Sequence, residues 1–117
     1  MKNDLEERLI KFAVMIVQIC ENMKESRSAS LLGGQLIRSG TSPALNYGEA
    51  QGGESKRDFI HKIKIVLKEL RETLVCLKII SRCQLCLQEE FIVSAISENN
   101  ELVSIFTKSI LTAQKNL

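Results

Sequence analysis

Between Gln35 and Ala50 a helical polar ladder runs past the chain's only proline. Arg38, Ser42, Asn46 and Glu49 are spaced four, four and three, which stacks them on one face of an α-helix. Pro43, Gly40 and Gly48 lie in the same stretch and ordinarily interrupt a helix. The spacing predicts a helix that continues through Pro43 to about Ala50, kinked, with its polar groups satisfying one another. That continuation decides how many helices the chain has.

The rest of the chain reads as amphipathic helix. Leu5, Leu9, Phe12, Ile16, Ile19 and Met23 make one stripe, predicting a first helix from about Asp4 to Met23, with Asn3 or Asp4 as its cap. A second helix is expected from Ser28 or Ser30. It carries Gly33-Gly34, attributed to close helix packing rather than to a phosphate loop, because no Lys-Ser/Thr follows. Gln51 to Glu54 reads as a loop. Ser55 then caps a long third helix to about Cys83, with a core face of Phe59, Ile63, Val66, Leu70, Leu74 and Leu77. A short connection turns the chain into a fourth helix, about Glu89 to Lys115, which Asn99-Asn100 is expected to weaken midway. No strand signal stands out. Four such helices with short connections predict one domain over residues 1–117. Its expected fold is all-α, an antiparallel up-down-up-down four-helix bundle.

Composition narrows the function classes. No apolar run approaches the roughly 20 residues of a membrane span, and the acidic start lacks the basic region of a signal peptide. A cytoplasmic protein with no membrane role is the expectation. Its four cysteines are read as thiols. Cys83-x-x-Cys86 lacks two further ligands at zinc spacing and closes a helix instead of opening one after a strand, so neither a metal nor a redox role is expected. His61 has no evident nucleophile or base partner, and no cofactor fingerprint is visible. The chain is therefore read as a non-enzyme without a cofactor.

Charge is uneven. Ser55 to Arg82 holds eight basic and three acidic residues, a net of +5, which leaves −3 on the rest. Arg57, Lys64, Lys68, Arg71, Lys78 and Arg82 fall within an arc of roughly 80° at 100° per residue. A line of cations suits phosphate backbones, RNA or DNA, without base-specific readout. An acidic protein partner is the alternative. So is a solvated face with internal pairs such as Lys68–Glu72 or Lys64–Asp58. Ile65, Val75, Cys76 and Ile79 form a second apolar patch away from the core stripe. It predicts either an interface with another subunit or a helix surrounded within the bundle. For the polar ladder, a structural hydrogen-bond network is favoured over a small-ligand site.

Gln35-Leu36-x-Arg38, Ser42-Pro43, Asn46 and Glu49 resemble the signature of the 23S rRNA-intervening-sequence protein family, also called the S23 ribosomal protein family. Ser55-Lys56-Arg57-Asp58-Phe59 and Lys68-Glu69-Leu70-Arg71-Glu72 are similar in style to that family's third helix. The resemblance implies a compact up-down bundle and a homopentamer with a central channel. It also implies kinship with pentameric accessory proteins of diversity-generating retroelements, which bind nucleic acid and a reverse transcriptase. Tyr47-Gly48 and Ala50 depart from the family's usual residues, which leaves the subgroup open.

Overall fold

The computed structural model describes residues 4–52 and 55–117. Within them the chain forms four helices: α1 (Asp4–Cys20), α2 (Arg27–Gln51), α3 (Lys56–Arg82) and α4 (Glu89–Lys115). Neighbours in sequence pack side by side and α4 closes back on α1, so α1 and α3 stand at opposite corners of a bundle 47 × 22 × 20 Å. This is the expected four-helix architecture. Asn3 and the loop residues Gly53-Glu54 lie outside the described residues.

Caps set the helix starts. Ser26, in extended conformation, accepts the Ala29 N–H at 3.1 Å, so α2 begins at Arg27, one residue before Ser28 and three before Ser30. Ser55 accepts the Asp58 N–H at 3.1 Å, as its spacing predicts. The first helix stops at Cys20 rather than Met23. The chain leaves it because residues 22–24 pair with the α3–α4 connection. Lys24 N–H donates to Leu85 O at 2.8 Å and Leu87 N–H to Asn22 O at 2.7 Å, with Met23 opposite Cys86. Helix α3 ends in a Schellman turn. Leu85 N–H reaches Ile80 O and Gln84 N–H reaches Ser81 O, with Gln84 in the left-handed region at φ 54°.

α2 does run unbroken through Pro43, which is buried. α4 is likewise continuous past Asn99-Asn100. The core is aliphatic with two phenylalanines: Leu9, Phe12, Ile16 and Ile19 from α1, Leu36 from α2, Ile63, Val66, Leu70, Leu77 and Ile80 from α3, and Ile92, Leu102 and Phe106 from α4. The face of α3 is turned slightly from the expected one. Ile60 and Leu67 are buried, Phe59 is half-buried, and Leu74, also half-buried, stays out of the core cluster.

The two glycine sites behave oppositely. A Cβ on Gly40 would stand 2.6 Å from Ile16 Cγ1, so α1 and α2 touch backbone to side chain there. At Gly34 a Cβ would meet nothing within 4 Å, and at Gly33 only Met23 Cγ at 3.9 Å. Close packing thus accounts for Gly40 and not for Gly33-Gly34, which line an open groove beside the α1–α2 connection.

Candidate nucleic-acid interface

The sixfold basic ridge is built by α3 alone. Arg57, Lys64, Lys68, Arg71, Lys78 and Arg82 are all exposed along this 27-residue helix. At 1.5 Å rise per residue, the 25 steps from Arg57 to Arg82 cover roughly 38 Å. Among the described residues, none of the six joins an ion pair. The pairs Lys68–Glu72 and Lys64–Asp58, weighed from sequence, do not form.

For Lys68–Glu72 the reason lies across the seam with α2. Arg38 Nη1 donates to Glu69 Oε2 at 3.0 Å, and its second amino group pairs with Glu72. Both acids of the middle of α3 are thereby turned toward α2, and the ridge keeps its positive charge. Further along the seam, Lys62 Nζ meets Glu49 Oε1 at 3.1 Å. The buried hydroxyls of Ser39 and Thr73 hydrogen-bond at 2.9 Å, and Thr73 also donates to Glu69 O at 2.7 Å. From Arg38 and Ser39 forward to Glu49 on α2, the partners on α3 move back from Glu69, Glu72 and Thr73 to Lys62, so these contacts fix an antiparallel register.

The polar ladder therefore divides. Arg38 and Glu49 reach to α3, while Asn46 donates to the Ser42 hydroxyl at 2.8 Å and to Ser42 O at 3.0 Å. Arg38 and Glu49 are exposed and Ser42 and Asn46 half-buried, so the network lies along a surface seam and not inside the core. It is one helix-to-helix clamp with a local pair beside it, and the structure brings the four residues into no common pocket.

The apolar patch on α3 is also corrected. Cys76 is buried, its thiol turned to Leu32 O at 3.6 Å, and Ile65 is half-buried. The rotation that brings Cys76 against α2 leaves only Val75, 58% exposed, and Ile79, 42% exposed, on the surface. Both sit in or beside the basic ridge. The larger exposed apolar surface lies elsewhere: Ile10, Val14 and Val17 of α1 with Leu45 of α2 border a groove of about 310 Å³.

Sequence reading missed two features. Arg8 of α1 grips α4, with Nε on Glu98 at 2.7 Å and Nη2 on Glu98 at 2.9 Å and Glu101 at 2.9 Å. Hydrogen bonds to Glu98 and then Glu101 raise its pKa further. The 90-residue separation left no local signal. Three cysteines also approach one another at the end of the bundle where both short connections lie. Burial first, then the neighbouring Cys76, Glu21 and Cys86, push the Cys20 thiol up to about 11. All four cysteines are free thiols, and Cys83 is exposed while Cys86 is buried. Among the described residues no group of three or more His, Cys, Asp or Glu could hold a metal ion, and no helix is long and apolar enough to cross a membrane.

Comparison with known proteins bears on identity. Among curated proteins no match is found. Among solved structures, the chain is similar to a protein of unknown function from the S23 ribosomal protein family of Bacteroides thetaiotaomicron. The two share 30% identity and a TM-score of 0.81, over 90% of this chain and 96% of that one. The family model described as 23S rRNA-intervening sequence protein matches residues 1–108. With nearly the whole chain matched, and the four-helix order shared with a solved relative, this protein belongs to the 23S rRNA-intervening sequence protein family.

Proposed function

We propose that this protein is a non-enzymatic, homo-oligomeric scaffold that associates with nucleic acid, the α3 ridge meeting the phosphate backbone. The observation that carries this reading is that the six ridge cations join no ion pair among the described residues, while Arg38 draws Glu69 and Glu72, the acids nearest the middle of the ridge, toward α2. Cations already paired with carboxylates would gain little from phosphate. Unpaired ones release counterions from the nucleic acid and gain affinity that falls steeply with salt. With no aromatic side chain along the ridge, base stacking contributes nothing and sequence preference is weak. The family's description carries 23S rRNA, which makes RNA the first partner to try.

The test is the salt dependence of binding to a short single-stranded RNA, for the wild type and for Lys64→Glu/Arg71→Glu/Lys78→Glu. The variant is expected to lose at least about tenfold in affinity. Its slope of log affinity against log salt should flatten by about 2 for three lost phosphate contacts. Equal affinity and equal slope would remove the ridge from nucleic-acid binding. Val75 and Ile79, set among the cations, favour a second reading in which part of the ridge meets protein.

A further inference from the structure

The chain has one histidine, and α3 places it against the basic ridge. The ridge cations are unevenly spaced. Arg57 and Lys64 stand about 10 Å apart along the helix, as do Arg71 and Lys78, while Lys64, Lys68 and Arg71 follow at steps of roughly 4–6 Å. Val75 stands in the second wide gap. His61 stands in the first, four residues after Arg57 and three before Lys64. It is exposed, and at 100° per residue it falls about 20° beyond the Lys68 edge of the ridge, on the side where Glu72 meets Arg38. Among the described residues its imidazole joins no ion pair. The charges around it are mostly positive. On α3, Arg57, Lys64 and Lys68 lie within two turns, and Asp58 is the one acid within a single turn. From α2 the facing group is Glu49, already held by Lys62 at 3.1 Å. Lys56 Nζ meets Asn116 O at 2.9 Å, which sets the level of α4. Five residues up α3 and five back along α4 bring His61 level with Leu111, with Lys108 and Lys115 about one turn to either side. No acid lies on α4 beyond Glu101.

Neutral, the imidazole leaves the gap between Arg57 and Lys64 open. Protonated, it puts a cation on every turn from Arg57 to Arg71, a line of about 21 Å. In the free protein that added charge enters among like charges, which Asp58 offsets only in part. With a phosphate strand laid along the ridge, the same charge faces anions instead. From this placement we infer that His61 is a proton-coupled phosphate contact: RNA binding draws a proton onto its imidazole, and the protein holds RNA more tightly as pH falls from about 8 to 6. The inference rests on the phosphate-binding reading above and adds its regulation. The direction follows from linkage, since a group that binds its proton more strongly in the complex than in the free protein strengthens the complex as pH falls. Imidazole is the ordinary side chain that gains its charge between about pH 8 and 5, and position 61 holds the one imidazole of the chain.

The experiment is binding of a short single-stranded oligouridylate RNA, whose bases do not titrate in this range, at about pH 6 and 8 and at several salt concentrations. It compares the wild type with His61→Asn, His61→Lys and Lys64→Glu/Arg71→Glu/Lys78→Glu. Position 61 is exposed, so folding is retained and far-ultraviolet circular dichroism checks it. The wild type is expected to bind at least about threefold more tightly at the lower pH, with a salt slope steeper by about 0.7 there. His61→Asn should bind at the weaker level at both pH values, and His61→Lys at the tighter level at both. Three results overturn the inference and leave the ridge reading in place: a wild type with equal affinity at the two pH values, a His61→Asn that keeps the pH dependence, or a His61→Lys that binds no more tightly than the wild type at the higher pH. RNA that binds at neither pH, or that binds the triple variant as well as the wild type, overturns both.

Discussion

Arg38 and Glu69 meet at 3.0 Å across the α2–α3 seam, with the arginine side chain 53% exposed and the glutamate side chain only 11% exposed. The asymmetry says which partner depends on the other. Arg38 has water available, whereas Glu69 relies on the guanidinium. Arg38→Ala is therefore expected to destabilise the fold by about 1–3 kcal/mol, the cost of leaving a buried charge unpaired. Adding Glu69→Gln should recover part of the loss, because a neutral amide is cheaper to bury. Chemical denaturation of the two variants and the double variant measures this coupling. Additive losses would mean that the pair contributes nothing as a pair.

Gly40 and Gly34 should respond in opposite directions to the same change. Gly40→Ala places a methyl 2.6 Å from Ile16 Cγ1, a branched side chain that is itself fully buried. The overlap forces α1 and α2 apart and is expected to cost at least about 1–3 kcal/mol. Gly34→Ala meets nothing within 4 Å and gains helix propensity, which should stabilise by up to about 1 kcal/mol. Thermal midpoints of the two variants measured side by side decide the matter.

Helix number and order were legible because the periodicity of apolar residues reports directly on which face is buried, and even the passage of α2 through Pro43 followed from the beat of Arg38, Ser42, Asn46 and Glu49. What sequence could not reveal was direction across a seam. Arg38 was visible as a polar rung, yet nothing local says that it turns to Glu69 and not along its own helix. The same limit hid Arg8 with Glu98, and it misplaced Cys76, whose position on α3 looked outward until α2 was laid against it. Ends of helices were partly lost for a related reason. α1 stops short because residues 22–24 pair with residues 85–87, a contact between distant segments.

Gln84 carries a local conformational cost that a glycine would not. It occupies the left-handed position of the Schellman turn at φ 54°, where a Cβ is disfavoured by about 1–2 kcal/mol. It is exposed, so its side chain has little packing to lose. Gln84→Gly is expected to raise stability by about 1 kcal/mol with no change in RNA affinity. A lowered denaturation midpoint would show that the Gln84 side chain contributes more than its backbone strain.

Asn99 is fully buried on α4, and neither atom of its amide has a hydrogen-bond partner. Burying an unpaired amide costs about 1–3 kcal/mol on mutational scales. Leucine is close in size and carries no polar atoms. Asn99→Leu is therefore expected to stabilise the bundle by about that amount, read from denaturant unfolding at neutral pH. A loss of stability would mean that the amide is satisfied in solution, for instance by an internal water that the leucine displaces.

Alkaline pH should expose the thiols packed at the end of the bundle. Cys20 ordinarily titrates near 9 and is held up to about 11 in the fold, first by burial. Burial raises Cys76 too, and the Tyr47 phenol is raised by burial and then by Glu6. For an acid whose pKa rises on folding, the folded chain holds its proton longer than the unfolded one. Stability is then intact below pH 9 and falls between about pH 9 and 11, where the unfolded thiol has ionised and the folded one has not. Replacing Cys20 with alanine removes one such group. The expected outcome is a lower stability at neutral pH from lost packing, but a shallower decline from about pH 9 to 11 than in the wild type. Urea midpoints measured across that range test it, and parallel declines would show that Cys20 does not contribute to the alkaline loss.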